Sequence, residues 1–167
     1  MSNPETTTSQ IATGLTARNA VTFRKILVPI DLSTESSIPV AVAMKIATLG
    51  SARMVLLHVI ELPRTELNPA VLAAMQRMQD HISSLKESAQ RNLSAFGEEI
   101  RASKIECTEE VRMGIPYEEI VHAAEENIAD LVVIGHKGGS KLMRLLLGST
   151  AERVVRLARC SVLVARP

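Results

Sequence analysis

The sequence predicts an α/β domain in which a mostly parallel sheet of five strands is covered by helices on both faces. Three observations carry this. Short runs such as KILVPI, RMVLLHVI, DLVVIG and SVLVA are branched and almost continuously apolar, as strands buried on both faces must be. The segments between them repeat apolar residues at helical spacing. The two kinds alternate along the chain as βαβαβαβαβ, and right-handed crossovers then leave few topologies.

Lys25–Ile30 reads as the first buried strand. Ser33–Leu49 reads as a helix, with Val40, Ala43, Met44 and Ala47 at helical spacing and Gly50 as its stop. Arg53–Ile60 is the second buried strand, after which Pro63 and Pro69 bracket a loop. Val71 to about Glu99 is a long helix. Its stripe of Val71, Met75, Met78, Ile82, Leu85, Ala89, Leu93 and Phe96 steps by three and four and is expected to face the core. In Lys104–Met113, the apolar Ile105, Cys107, Val111 and Met113 alternate with Lys104, Glu106, Thr108, Glu110 and Arg112. That pattern marks a strand with one wet face near a sheet edge. Pro116 opens a helix to about Asn127, because proline suits a first helical turn. Asp130–Gly135 is a further buried strand, Gly148–Arg159 a helix, and Ser161–Ala165 the last strand.

Composition removes several classes of function. Hydrophobic residues make up 46%, enough for a core, but aromatics are only 2%, so Val, Ile, Leu, Ala and Met must build it. The 19 basic and 18 acidic residues leave a net charge of +1, with no basic stripe. That balance argues against nucleic acid or an anionic membrane as partner. No apolar run approaches the length of a membrane span. Cys107 and Cys160 form neither a metal-ligand spacing nor a disulfide framework, which fits a reducing cytoplasm. Residues 1–22 lack the apolar block of a secretory signal; their Ser/Thr content with Arg18 and Arg24 leaves a transit peptide as an alternative, which Glu5 and the thin basic charge weaken. They are expected to be a flexible N-terminal tail ahead of a domain spanning residues 23–167.

In open parallel sheets, ligands settle beyond the carboxyl ends of the strands where the winding reverses. With strand order 3-2-1-4-5, that point lies between the first and fourth strands, which run out at Asp31 and Gly135. The stretch Ile134–Val155, IGHKGGSKLMRLLLGSTAERVV, places four of the chain's eight glycines there. Gly135 lets the backbone come close to a ligand, and Gly138 and Gly139 extend that bare surface. Gly148 leads into a helix whose first turn carries Ser149 and Thr150, where unpartnered amides and the helix dipole favour an anion such as phosphate. Lys137 adds a point charge. The alternative is a capping box, Ser149 with Glu152, which would use the same amides for the helix itself. Asp31 has two readings as well: a cap or ion pair for the first helix, or a contact to a ribose or metal. His58, inside an apolar strand, is expected to be a core histidine with its polar atoms satisfied.

Other motifs are missing. No glycine follows the first strand in PIDLSTES, which argues against NAD or FAD, and there is no Walker A sequence. His58, His81, His122 and His136 show no zinc spacing, and no Gly-x-Ser-x-Gly elbow occurs. No general base with an orienting partner is visible, so no catalytic residue is assigned.

The spacing Gly135-x2-Gly138-x9-Gly148-Ser149 resembles the nucleotide-binding signature of the universal stress protein family. ILVPIDLS, LLHVIE, GIPYEEIVHAAEENIADLVVIG and LLLGSTAERVVRLARCSVLVARP are similar to it too, so the likeness spans about residues 24–167. The resemblance implies a Rossmann-like five-stranded domain of the ATP-binding branch. Gly135, Gly138, Gly148, Ser149 and Thr150 would then cradle phosphates. Pro29, Ile30, Asp31 and Val59 would line the adenosine end, with Val59 offering backbone groups to adenine and Ile134 flanking the base or ribose. His136 and Lys137 stand where the family often has a small or polar residue followed by His or Arg. Leu32-Ser33 replaces the usual Gly-Ser after the aspartate. The implied cofactor is ATP or AMP, with Mg as an optional companion. The resemblance also implies a homodimer through Ser161–Ala165, and a short uncharged strand with a free edge is a pairing hazard that a two-fold partner would remove. The leading reading is a regulatory stress protein that holds an adenine nucleotide and hydrolyses it slowly at most. An ATP-dependent hydrolase or transferase, and a ligand-free dimeric interaction module, are the alternatives.

Overall fold

The computed structural model describes residues 22–61, 79–136 and 147–167. The loop expected at Pro63 and Pro69, the stripe residues Val71, Met75 and Met78, and the site candidates Lys137 and Gly138 lie outside the described residues, as does the expected tail up to residue 21.

Five strands form one parallel sheet: β1 (Lys25–Pro29), β2 (Arg53–Glu61), β3 (Cys107–Gly114), β4 (Leu131–Gly135) and β5 (Ser161–Ala165). Their order is β3-β2-β1-β4-β5, the predicted 3-2-1-4-5. The helices are α1 (Ser37–Gly50), α2 (Gln79–Ala102), α3 (Pro116–Glu126) and α4 (Ser149–Leu157). Because side chains alternate along a strand, β1 feeds two cores at once. Ile26 and Val28 join the layer under α1 and α2, while Leu27 joins the layer under α3 and α4. All three are fully buried, and each such side chain contributes about 1.5–3 kcal/mol by leaving water. The central strand is therefore anchored on both faces, and its carboxyl end is a fixed platform.

Local chemistry places several boundaries differently from the sequence pattern. The first helical segment opens as a 3-10 turn, Thr34–Ser36, before α1 begins at Ser37. The Asp31 carboxylate causes this turn: one oxygen accepts from the Ser33 N–H at 3.0 Å and the Ser36 hydroxyl at 2.8 Å. Leu32, where the family's glycine would sit, is left-handed at φ 61 and packs against the α1 layer. Gly50 does not stop α1 as an outside residue. It is the last helical residue, and Ser51 takes the left-handed cap at φ 53. Lys104, expected to start a strand, is left-handed at φ 61 and closes α2 instead. Asp130 precedes β4, and its carboxylate accepts from the Arg24 and Lys25 N–H groups at 2.8 and 3.1 Å, tying the start of β1 to β4. The last helix ends at Leu157, two residues early, because Ala158 is extended at ψ 141.

On α2, Ala89 and Leu93 are buried as the stripe requires, but Leu85 is 42% exposed, toward the end of the helix away from β3. β3 is an edge strand as expected, and its polar face is wet at Thr108 but partly covered further along, at Glu110 and Arg112. Arg112 is half-buried there and donates to Glu110 at 2.9 Å and Glu126 at 2.7 Å, while Asn127 donates to Glu110 at 2.8 Å. This network holds β3 against the end of α3, and the Arg112 guanidinium keeps the Glu126 carboxyl below its usual range. On the opposite face, Glu109 accepts from Arg101 at 2.7 Å and Ser94 at 2.9 Å.

Candidate functional site

A cleft of about 480 Å³ opens beyond the carboxyl ends of β1, β2 and β4, a volume in the range of small-ligand sites. β1 and β4 are neighbours whose connections run in opposite directions, so this is the reversal point of the sheet. Three strand ends, the 3-10 turn and three helices shape it.

From β1 come Pro29, Ile30 and Asp31. The chain leaves the sheet here because Ile30 makes the last ladder bond, its N–H donating to the Leu57 C=O at 2.9 Å. The Ile30 carbonyl accepts from the Nδ1–H of His58 at 2.9 Å, which fixes that tautomer. His58 is half-buried rather than a core residue, and among the described residues only its Nδ1 has a hydrogen-bond partner, a bond that also gives the ring a positioning role. In a parallel ladder the N–H and C=O of one residue point to the same side. Those of Leu57 point to β1, so those of Val59 do too, beyond the last β1 pair, Pro29 with Leu57. The acceptor next in line for the Val59 N–H, the Ile30 C=O, instead takes the His58 ring. Among the described residues no backbone bond forms to the Val59 N–H on that side.

From β4 come Ile134 and Gly135. The His136 N–H donates to the Ala165 C=O at 2.9 Å, and the His136 C=O accepts from the Gly148 N–H at 2.8 Å. The second bond brings the start of α4 back beside the end of β4. Gly148 is the N-cap, extended at φ −62 and ψ 147, with no side-chain cap. The capping-box alternative is therefore not formed: Ser149 is the first helical residue, not the cap. The first helical bond is Glu152 N–H to Gly148 C=O at 2.9 Å, so the amides of Ser149, Thr150 and Ala151 have no acceptor within the helix. All three residues, with Gly148, line the cleft.

The cleft thus gathers Pro29, Ile30, Asp31, Val59, Ile134, Gly135, Gly148, Ser149 and Thr150. His136 is not brought into the lining; its backbone, not its ring, shapes the site. The sequence reading missed Leu57 and Glu61, although strand alternation from Val59 puts both on the same face. It also missed Glu35, Pro116 and Ile120, which no local motif marks. Cys107 lies away from the cleft in the α1–α2 core, where burial pushes its thiol up to about 11, so it is no nucleophile at neutral pH. Among the described residues, no cluster of three or more His, Cys, Asp or Glu is placed to hold a metal, and no helix is long and apolar enough to cross a membrane.

The sequence profile of the universal stress protein family matches residues 22–166. The chain belongs to that family. Universal stress protein MJ0531 of Methanocaldococcus jannaschii is 34% identical over 145 residues, covering 86% of this chain and 82% of the relative. The solved structure of MJ0577, from the same organism, superposes with a TM-score of 0.76 at 28% identity, covering 88% of this chain and 98% of that one. The universal stress protein from Archaeoglobus fulgidus solved in complex with dAMP shares the fold, with a TM-score of 0.60 at 23% identity over 87% of this chain and 100% of that one. This chain shares the five-stranded parallel α/β fold of those relatives.

Proposed function

We propose that this universal stress protein holds an adenine nucleotide, ATP or AMP, in the cleft and acts by binding, with slow hydrolysis at most. The observation that carries the reading is the pairing of two unsatisfied backbone surfaces across one cleft. At one side, the uncapped start of α4 presents the amides of Ser149, Thr150 and Ala151 at the positive end of the helix dipole, together with two hydroxyls. At the other, the Val59 N–H and C=O offer a donor beside an acceptor, the complement of the adenine N1 and N6 edge. Leu57, Ile120 and Ile134 supply apolar walls for a purine between them. The dAMP complex of the Archaeoglobus relative supports nucleotide binding as a property of this fold, not of these residues. A magnesium ion here would draw most of its ligands from phosphate oxygens and water, since the described cleft offers it scattered carboxylates at best. We also infer a homodimer through the open edge of β5.

Equilibrium dialysis against labelled ATP and AMP tests the reading. The control is Gly148→Val. The Gly148 backbone is in a region open to any residue, so valine is accepted by the fold while its side chain crowds the amides. Retention by the natural chain and at least about tenfold weaker retention by the variant are expected, the loss of one or more charge-assisted bonds. Equal retention by both, or none by either, would remove the basis for the proposal.

A further inference from the structure

The two walls of the cleft differ in charge. The β4–α4 wall offers glycines, hydroxyls and helix-start amides, whereas the β1–β2 wall carries Asp31, Glu35 and Glu61. No Lys, Arg or His is among the described lining residues. Glu35 and Glu61 are exposed, and neither forms a salt bridge among the described residues.

The strand order assigns what each carboxylate meets. β4, β1 and β2 are consecutive, with neighbouring strands about 4.8 Å apart. A nucleotide with its phosphate at α4 and its base at Val59 lays its ribose across the end of β1. Asp31 and Glu35 stand there, and Glu61 follows Val59 by two residues on the same face of β2. Free ribose hydroxyls donate hydrogen bonds to carboxylates. A phosphate on the ribose reverses that: it removes a donor and sets up to two negative charges against fixed ones.

We propose that Glu35 and Glu61 are specificity determinants that reject adenosine nucleotides bearing a second phosphate on the 2′ or 3′ oxygen, so that the cleft takes nucleotides phosphorylated only at the 5′ position. The inference rests on the nucleotide reading above. Asp31 contributes charge to the same wall but is a poor probe, because its carboxylate also holds Ser33 and Ser36.

Calorimetric titration of the full chain with AMP and with adenosine 3′,5′-bisphosphate is the test. At low salt the bisphosphate binds about tenfold or more weakly than AMP, and the gap narrows as salt rises. In the Glu35→Gln/Glu61→Gln variant the bisphosphate gains affinity relative to AMP, and the gap contracts. Both side chains are exposed, so an unchanged melting temperature verifies the fold. Equal affinity of the natural chain for the two ligands overturns the proposal, as does a gap that the double substitution leaves intact. A chain that binds neither ligand overturns the nucleotide reading beneath it, and the proposal goes with it.

Discussion

Ile128 shows how a single residue can be held against its own preference. It sits just past α3 at φ 51, where its Cβ crowds the backbone, and a β-branched side chain is poorly suited to that region. The turn is nonetheless complete: the Ile128 N–H donates to Glu125 at 3.0 Å and the Ala129 N–H to Ala124 at 2.8 Å. These two bonds close the end of the helix in the arrangement that usually takes glycine. Packing does not explain the isoleucine, whose side chain is 83% exposed. Ile128→Gly is therefore expected to stabilise the fold by about 0.5–1 kcal/mol, the relieved left-handed strain less the extra freedom glycine gives the unfolded chain. Ile128→Ala keeps its Cβ and should gain little. Urea unfolding midpoints decide it, and a glycine variant less stable than the alanine one contradicts the argument. Leu32 has the same backbone conformation but is held by its contacts with the α1 layer, so the same exchange brings no such gain there.

At the scale of elements, the contact between α2 and β3 turns on Gly97. A Cβ at that position would collide with the Glu109 carboxylate, which Arg101 and Ser94 hold against the helix. Alanine in an exposed helix normally gains about 1 kcal/mol over glycine. Here Gly97→Ala is expected to give no gain or a loss, because Glu109 must leave its partners. In a Glu109→Ala background the obstacle is gone, and Gly97→Ala should stabilise by about 1 kcal/mol. A double-mutant cycle measures this coupling, and additive effects would contradict it. The sequence announced β3 through its alternation but not the role of Glu109, because a carboxylate on the inner face departs from the apolar pattern and only the packed helix shows its partners. The left-handed ends at Ser51, Lys104 and Ile128 were hidden for a related reason: the tertiary fold sets them, and the expected glycine signal is absent. Gly135 and Gly148 were legible because the spacing around a strand end and a helix start is local. Glu35 and Glu61 were not, because they meet only after β1 and β2 have paired.

For the whole molecule, the two edges of the sheet are unequal. β3 carries Arg112 and Glu110 in a closed ionic network on one face and Glu109 with Arg101 on the other, devices that discourage edge-to-edge pairing. β5 has no charged residue, and Val162, Leu163 and Val164 remain half-exposed. A chain with one guarded and one open edge favours a closed two-fold pair over an open filament, because only like edges can meet. The ladder shows which groups a partner would use. The Ala165 C=O accepts from the His136 N–H, so Ala165, Leu163 and Ser161 turn their backbone groups toward β4. Val162 and Val164 turn theirs outward. Val162→Pro therefore removes an outward donor while sparing the ladder to β4, the placement an edge strand tolerates. Light scattering behind gel filtration is expected to show a dimer for the natural chain and for Val162→Thr, which keeps the N–H, and a monomer for Val162→Pro. A dimer that survives Val162→Pro with its mass unchanged would move the interface away from β5.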